Sequence, residues 1–145
     1  MKALIQRVKR ASVTVDGTKI SEIQKGILVF LGVEKEDVQE NAEKLADKIC
    51  KLRIFEDENE KMNLSVSDVN GEILVVSQFT LCGDCKKGTR PSFDNAAQPD
   101  KAIELYEYFV KCIDDKKIPV QTGKFRAMMD VELINDGPVT FVLQK

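Results

Sequence analysis

Histidine is absent from all 145 residues. That absence excludes Ser-His-Asp and Cys-His dyads, HExxH metalloenzymes and Cys/His zinc deaminases, each of which needs an imidazole as base or ligand. No Gly-x-x-x-x-Gly-Lys-[Ser/Thr] loop occurs and no Gly-x-Gly-x-x-Gly, so a P-loop NTPase or an ordinary dinucleotide enzyme is not expected. Neither sign of charge dominates: 22 Lys and Arg stand against 24 Asp and Glu, a net of -2. This disfavours avid, sequence-blind nucleic-acid binding and leaves a local basic patch open. Long apolar runs are missing too. The opening MKALIQRVKR carries charge at four of ten positions, unlike an export signal or a membrane span. The four cysteines are therefore expected as reduced thiols in a cytoplasmic protein.

What is there fits a single domain over residues 1–145, with no linker, repeat or low-complexity segment. A chain of this length buries roughly two-thirds of its unfolded surface and needs no staple. Ala3 to Val8 and Ala11 to Val15 read as strands, Asp16-Gly17 as a turn, and Gly26 to Val33 as a strand covered on both faces. A helix is predicted from near Asp37, capped by Asp37 with Glu40, with a stripe of Val38, Ala42, Leu45, Ala46, Ile49 and Cys50. Glu72 to Leu81 reads as a strand, 82–98 as a long connection, and roughly 100–115 as a second amphipathic helix. Met129 to Asn135 and Val139 to Leu143 read as strands separated by Asp136-Gly137-Pro138. Two helices among about seven strands suggest helices on one face of a sheet and further strands on the other.

Chemistry concentrates in few places. Strand periodicity puts Gln78 and Thr80 on one face, about 6.6 Å apart, and sends Ser77 and Phe79 to the other. Such a polar pair either binds a ligand or marks where the strand meets solvent. Thr80 has no evident base to activate it, whereas the Gln78 amide could steer a water or an oxyanion. Cys82-Gly-Asp-Cys85 lacks two further zinc ligands and a helix N-terminus for redox work, so incidental thiols are the simpler reading. Lys86, Lys87 and Arg90 form the densest positive run, either a phosphate-binding loop or a solvated one. Arg7 interrupts an apolar strand with no partner evident locally. Gly137-Pro138 follows a turn signal, and held rigidly its carbonyls could act as a backbone discriminator.

At a larger scale the chain carries Ile5-Gln-Arg-Val8 with Ala11-Ser-Val13, Arg53-Ile-Phe55, Lys61-Met-Asn-Leu64 and Val75-Val-Ser-Gln-Phe-Thr-Leu81. Arg90-Pro-Ser-Phe93, Gln121-Thr-Gly123 and Asn135-Asp-Gly-Pro-Val-Thr140 follow in order. Across nearly its whole length it resembles the D-aminoacyl-tRNA deacylases, also called D-tyrosyl-tRNA deacylases, whose signatures are the SQFT and NDGPVT segments.

The resemblance implies an α/β three-layer α/β/β subunit, a homodimer with active sites at the subunit interface, and the 3′ end of D-aminoacyl-tRNA as substrate. Neither DNA nor a membrane is an implied partner, and no cofactor or metal is implied. The ester at the terminal adenosine would be hydrolysed, with glycyl-tRNA a further substrate. It implies that Gly137-Pro138 is cis, enters the partner's site, and holds the substrate amino group on its carbonyls while excluding an L side chain. Arg7 matches an arginine associated with holding that motif. Gln78 and Thr80 become pocket residues without a covalent acyl-Thr80, the ribose 2′-hydroxyl assisting water. Ser77, Phe79, Arg90 and Phe93 would support the substrate, and Lys86 and Lys87 would face tRNA phosphate. The competing expectations are a non-catalytic RNA-end or protein-binding domain on the same fold, and a thiol or metal protein using Cys82 and Cys85.

Overall fold

A computed structural model describes residues 1–145. Strand β1 (Lys2–Val15) runs unbroken where the sequence suggested two segments. Asp16 and Gly17, with φ of 49° and 76°, turn it into β2 (Thr18–Ile23) so that Val15 faces Thr18. Two central residues of positive φ make the turn whose twist matches its strands, and Asp-Gly accepts it at little cost. β3 (Gly26–Gly32) follows, then α1 (Gln39–Lys51) and a short hairpin of β4 (Phe55–Glu56) and β5 (Met62–Leu64). β6 (Glu72–Ser77), α2 (Pro99–Asp114), β7 (Val120–Thr122) and β8 (Asp130–Gln144) complete the order.

The sheet runs β2-β1-β3-β6-β7, with β8 on the other edge of β1. β3, β6 and β7 are parallel neighbours, and the connections between them carry α1 and α2. The central strands are apolar from Gly26 to Gly32 and from Ile73 to Val76 because both faces are covered there. Ile27, Val29, Leu31, Ile73 and Val75 pack with the helices, whereas Leu28, Leu74 and Val76 belong to a second core. Tyr106 ties the layers together: its hydroxyl donates to the Val75 carbonyl at 2.8 Å, and burial pushes its pKa up.

β1 serves both cores. Val8 pairs with Asn135 and Arg10 with Ile134, so Lys9 is an extra residue on the β1 side. One inserted residue exchanges the faces of a strand. Ala3 and Ile5 accordingly face the helices, while Ala11, Val13 and Val15 face the second core, joined by Met129, Val131 and Leu133. This is the expected three-layer α/β/β arrangement.

Three local expectations are corrected. Asp37 does not cap α1; its buried carboxylate takes the Met1 ammonium and the Glu34 amide, the latter at 2.6 Å. A buried ammonium needs that carboxylate more than a helix end does. The helix start uses Asn41 instead, whose side chain accepts from the Val38 amide at 2.8 Å. β6 stops at Ser77, because Phe79–Cys82 winds into a 3-10 turn. β8 is not interrupted at Asp136-Gly137-Pro138 but carries that segment as a bulge. No helix is long and apolar enough to cross a membrane.

The carboxylates give a first prediction. Asn63 and the Lys61 amide hold Asp57 below its ordinary value, and the Ser65 amide and hydroxyl do the same for Asp68. Glu34 is desolvated, which raises its pKa, yet Lys2 and the Met1 ammonium bring the net value down. A depressed folded pKa contributes stability above the unfolded value and loses it as pH falls through the folded one. With no histidine to charge, Tm is expected to stay nearly level between about pH 8 and 5 and to fall below about pH 4.5. An acid titration of Tm checks this, and a Tm rising in acid would contradict it.

Candidate functional site

The polar end of β6 shapes one wall of a cavity. The Gln78 amide still donates to the Leu31 carbonyl at 2.8 Å, continuing the β3 pairing, and then the backbone turns away. Gly32 permits the turn to lie against β3: a Cβ there would sit 3.1 Å from the Gln78 carbonyl and from Cys82 Sγ. The strand spacing expected for Gln78 and Thr80 is therefore replaced by a direct contact, in which the Gln78 carboxamide donates to the Thr80 hydroxyl. Thr80 is exposed, and Gln78 and Ser77 are half-buried.

Phe79 and Phe93 meet edge to face with centroids 5.0 Å apart. They are 57% and 38% exposed, too open for core residues. Together with Ser77, Gln78 and Thr80 they line a cavity of ≈ 750 Å³ whose other walls come from the start of α2 and from 125–131. Most of the lining is apolar, a composition typical of sites for small organic ligands. Arg126 is the one charged residue in that lining, and no acid or base is present to move a proton.

The second cluster lies around Gly137-Pro138, a cis peptide. Gln6 pairs with Thr140 and Val8 with Asn135, so Asp136–Val139 all lie opposite Arg7. Arg7 is 5% exposed and spends its donors on this bulge. Its Nε donates to the Asp136 carbonyl at 2.8 Å and its Nη1 to the Ile54 carbonyl at 2.7 Å. The Asp136 and Glu56 carboxylates lie 3.5 and 3.7 Å from the guanidinium. On the other side Asn135 accepts from the Val139 amide at 2.8 Å and donates to the Val139 carbonyl at 3.1 Å. Gly137 and Pro138 themselves remain exposed.

One chain does not bring the two clusters together: Arg7, Gly137 and Pro138 are outside the cavity lining. Lys86, Lys87 and Arg90 are outside it as well. They occupy the exposed tip of a loop closed by reciprocal Asp84 and Ser92 backbone bonds of 2.7 and 3.0 Å. Sequence reasoning missed Arg126 and the supporting Asn135. Asn135 was legible only as a strand end and as part of the NDGPVT segment, with no role of its own, and Arg126 has no local pattern to single it out.

The thiols divide by burial. Cys82 donates to the Val33 carbonyl at 3.4 Å and burial pushes its pKa up, while Cys85 is exposed. Alkylation by iodoacetamide is therefore expected at Cys85 well before Cys82, a difference that mass spectrometry of the native protein reads directly. Equal rates would place Cys82 in solvent.

Comparison with known proteins adds a family. The model described as D-Tyr-tRNA(Tyr) deacylase matches residues 4–144. The D-aminoacyl-tRNA deacylase of Thermodesulfovibrio yellowstonii is 61% identical over 143 residues, covering 99% of this chain and 98% of that one. Its counterpart in Koribacter versatilis is 62% identical, covering 99% and 96%. Among solved structures, "c-Myc DNA Unwinding Element Binding Protein" superposes with a TM-score of 0.94 at 45% identity, covering 100% and 99%. A "probable eukaryotic D-amino acid tRNA deacylase" has the same fold, with a TM-score of 0.82 at 16% identity over 99% and 98%.

Proposed function

The chain belongs to the D-Tyr-tRNA(Tyr) deacylase family, and from that premise we propose that it hydrolyses the ester between a D-amino acid and the 3′-terminal adenosine of tRNA. Water adds to the ester carbonyl, the bond to the ribose oxygen breaks, and that oxygen leaves with a proton. Free D-amino acid and intact tRNA result. The cavity offers Gln78 and Thr80 for hydrogen bonding and no general base. The ribose 2′-hydroxyl, carried by the substrate beside the ester, assists the water. Positioning of an already activated ester supplies the rest of the acceleration.

The observation that carries the chiral part of this reading is the Gly137-Pro138 segment, exposed at its tip and anchored on both sides by Arg7 and Asn135. A backbone fixed in this way cannot yield to an L side chain as a flexible residue could, so the wrong enantiomer is excluded by contact. The D side chain points away and is read loosely; glycine, with no side chain, passes. Because this segment does not line the cavity of its own chain, the reading requires a homodimer in which each subunit completes the other's site. Two features support such a pair. The chain exposes 8541 Å², about 1,000 Å² more than scaling gives for its mass. β8 also presents Ile134, Phe141 and Val142 to solvent.

Thr80 is a hydrogen-bonding residue in this scheme, not a nucleophile. Thr80→Ala is expected to keep kcat within about tenfold of the parent, whereas removal of a true nucleophile costs on the order of 10⁴-fold or more. Single-turnover hydrolysis of D-tyrosyl-tRNA decides between them.

A second reading, a nucleic-acid-end binder without turnover, draws on the name of the 45%-identical structural relative. Time courses of D-tyrosyl-tRNA and L-tyrosyl-tRNA with purified protein, with and without EDTA, separate the two. Catalytic loss of the D ester alone supports the deacylase. Protection of both esters supports the binder, and equal loss of both removes the chiral filter.

A further inference from the structure

Arg126 sits badly for its backbone and has nothing to hold. It falls in a turn closed by the Ala127 amide donating to the Lys124 carbonyl at 3.2 Å, with a φ of 62°. That left-handed conformation suits glycine, and an L side chain adopts it at a cost; Asp16, Glu60, Asn70 and Lys117 share it, and of the five only Arg126 lines the cavity. Of the five arginines, Arg7 and Arg10 have carboxylate partners, while Arg53 and Arg90, like Arg126, have none but lie outside the cavity lining. The Arg126 guanidinium has none, is exposed, and stands at the wall of a cavity that is otherwise uncharged. A strained residue is informative when something at the site repays the strain.

Resting on the deacylase reading, we propose that Arg126 binds the phosphate on the 5′ oxygen of the terminal adenosine. A nucleoside with its aminoacyl group carries no negative charge of its own, so this phosphate, joining the last two nucleotides, is the nearest one. The cavity, at ≈ 750 Å³, suits one such nucleoside with its phosphate at the mouth. A guanidinium offers paired donors that match phosphate oxygens, a geometry an ammonium cannot copy. Lys86, Lys87 and Arg90, outside the lining, are left for phosphates further along the strand. Arg126 is thus a substrate-positioning residue: it fixes how deep the adenosine sits and so where the ester falls relative to Gln78 and Thr80.

Two minimal substrates test this: the 3′-D-tyrosyl ester of adenosine and the same ester of 5′-AMP. The parent protein is expected to hydrolyse the phosphorylated ester with kcat/KM about tenfold higher, mainly through KM. Arg126→Gly removes the guanidinium and suits the backbone, so Tm is expected to hold or rise while the preference falls to within about twofold of none. Arg126→Lys should keep part of the preference. On D-tyrosyl-tRNA, Arg126→Gly should also make the slope of log kcat/KM against log salt shallower by about 0.7. A preference unchanged in Arg126→Gly, or absent in the parent, overturns the assignment while leaving the deacylase reading intact if D-tyrosyl-tRNA is still hydrolysed. Failure of the parent to hydrolyse D-tyrosyl-tRNA and both esters overturns the two together.

Discussion

Arg7→Ala is expected to lower kcat/KM for D-tyrosyl-tRNA by at least about 100-fold and to destabilise the fold by about 3–5 kcal/mol. The guanidinium is buried and holds two carbonyls from separate parts of the chain, Ile54 after α1 and Asp136 in β8. Removing it leaves the buried Ile54 carbonyl unpartnered, at about 1–3 kcal/mol, and releases the half-buried Asp136 carbonyl. It also leaves the Asp136 carboxylate without its neighbouring cation. Freed from Arg7, the Gly137-Pro138 bulge would no longer be fixed, and a displacement of about 1 Å at a reacting centre is enough for a 100-fold loss. Arg7→Lys should be intermediate, since one ammonium cannot reach both carbonyls with the same planar fork. Urea denaturation reads the stability and initial rates read the activity. A destabilised variant with full rate and full D over L discrimination would show that Arg7 holds the fold but not the filter.

Gly137→Ala separates those roles from the other direction. A Cβ at 137 would lie 2.6 Å from both the Val139 amide nitrogen and Val139 Cγ2. Val139 cannot simply retreat, because Asn135 holds its amide at 2.8 Å. The bulge must therefore change shape at its exposed tip. The expected result is a loss of about 100-fold or more in D-tyrosyl-tRNA hydrolysis, with stability lowered by only about 1–3 kcal/mol. Discrimination against L-tyrosyl-tRNA, the ratio of the two kcat/KM values, should also fall. A variant that folds, dimerises and retains both rate and ratio would remove Gly137-Pro138 from the mechanism.

The sequence was most legible where one local rule decided the outcome. The Asp16-Gly17 hairpin, the apolar β3 and the stripes of α1 and α2 follow from turn chemistry and periodicity, except that Val38 stands exposed ahead of α1. Glu72 to Leu81 misled because its pattern stays strand-like after Ser77. What ends β6 is tertiary: the pairing with β3 runs out at Leu31 and the glycine beside it lets the chain fold back. Asp37 misled for a related reason, since a buried ammonium from the far end of the segment competes for it. At the site, Gln78 and Thr80 were identified from their types, but their contact required the 3-10 turn. Arg7 stood out as a charge in an apolar strand, although its acceptors lie 47 and 129 residues away. Arg126 left no trace in periodicity because its significance lies in a backbone angle and a missing partner.

The place of β8 in the chain has a consequence during synthesis. β1 emerges before the strands it pairs with and can join β2 and β3 early along one edge. Its other edge is reserved for β8, with Lys2 opposite Gln144, and must wait for that much later strand. At about 5–20 residues per second the nascent chain carries an unpaired strand edge for many seconds, a period when wrong partners are available. Arg7 belongs to that strand, so its clamp on Asp136 closes only as β8 docks. A stalled or shortened chain can therefore build much of its helical layer while lacking the Gly137-Pro138 bulge altogether.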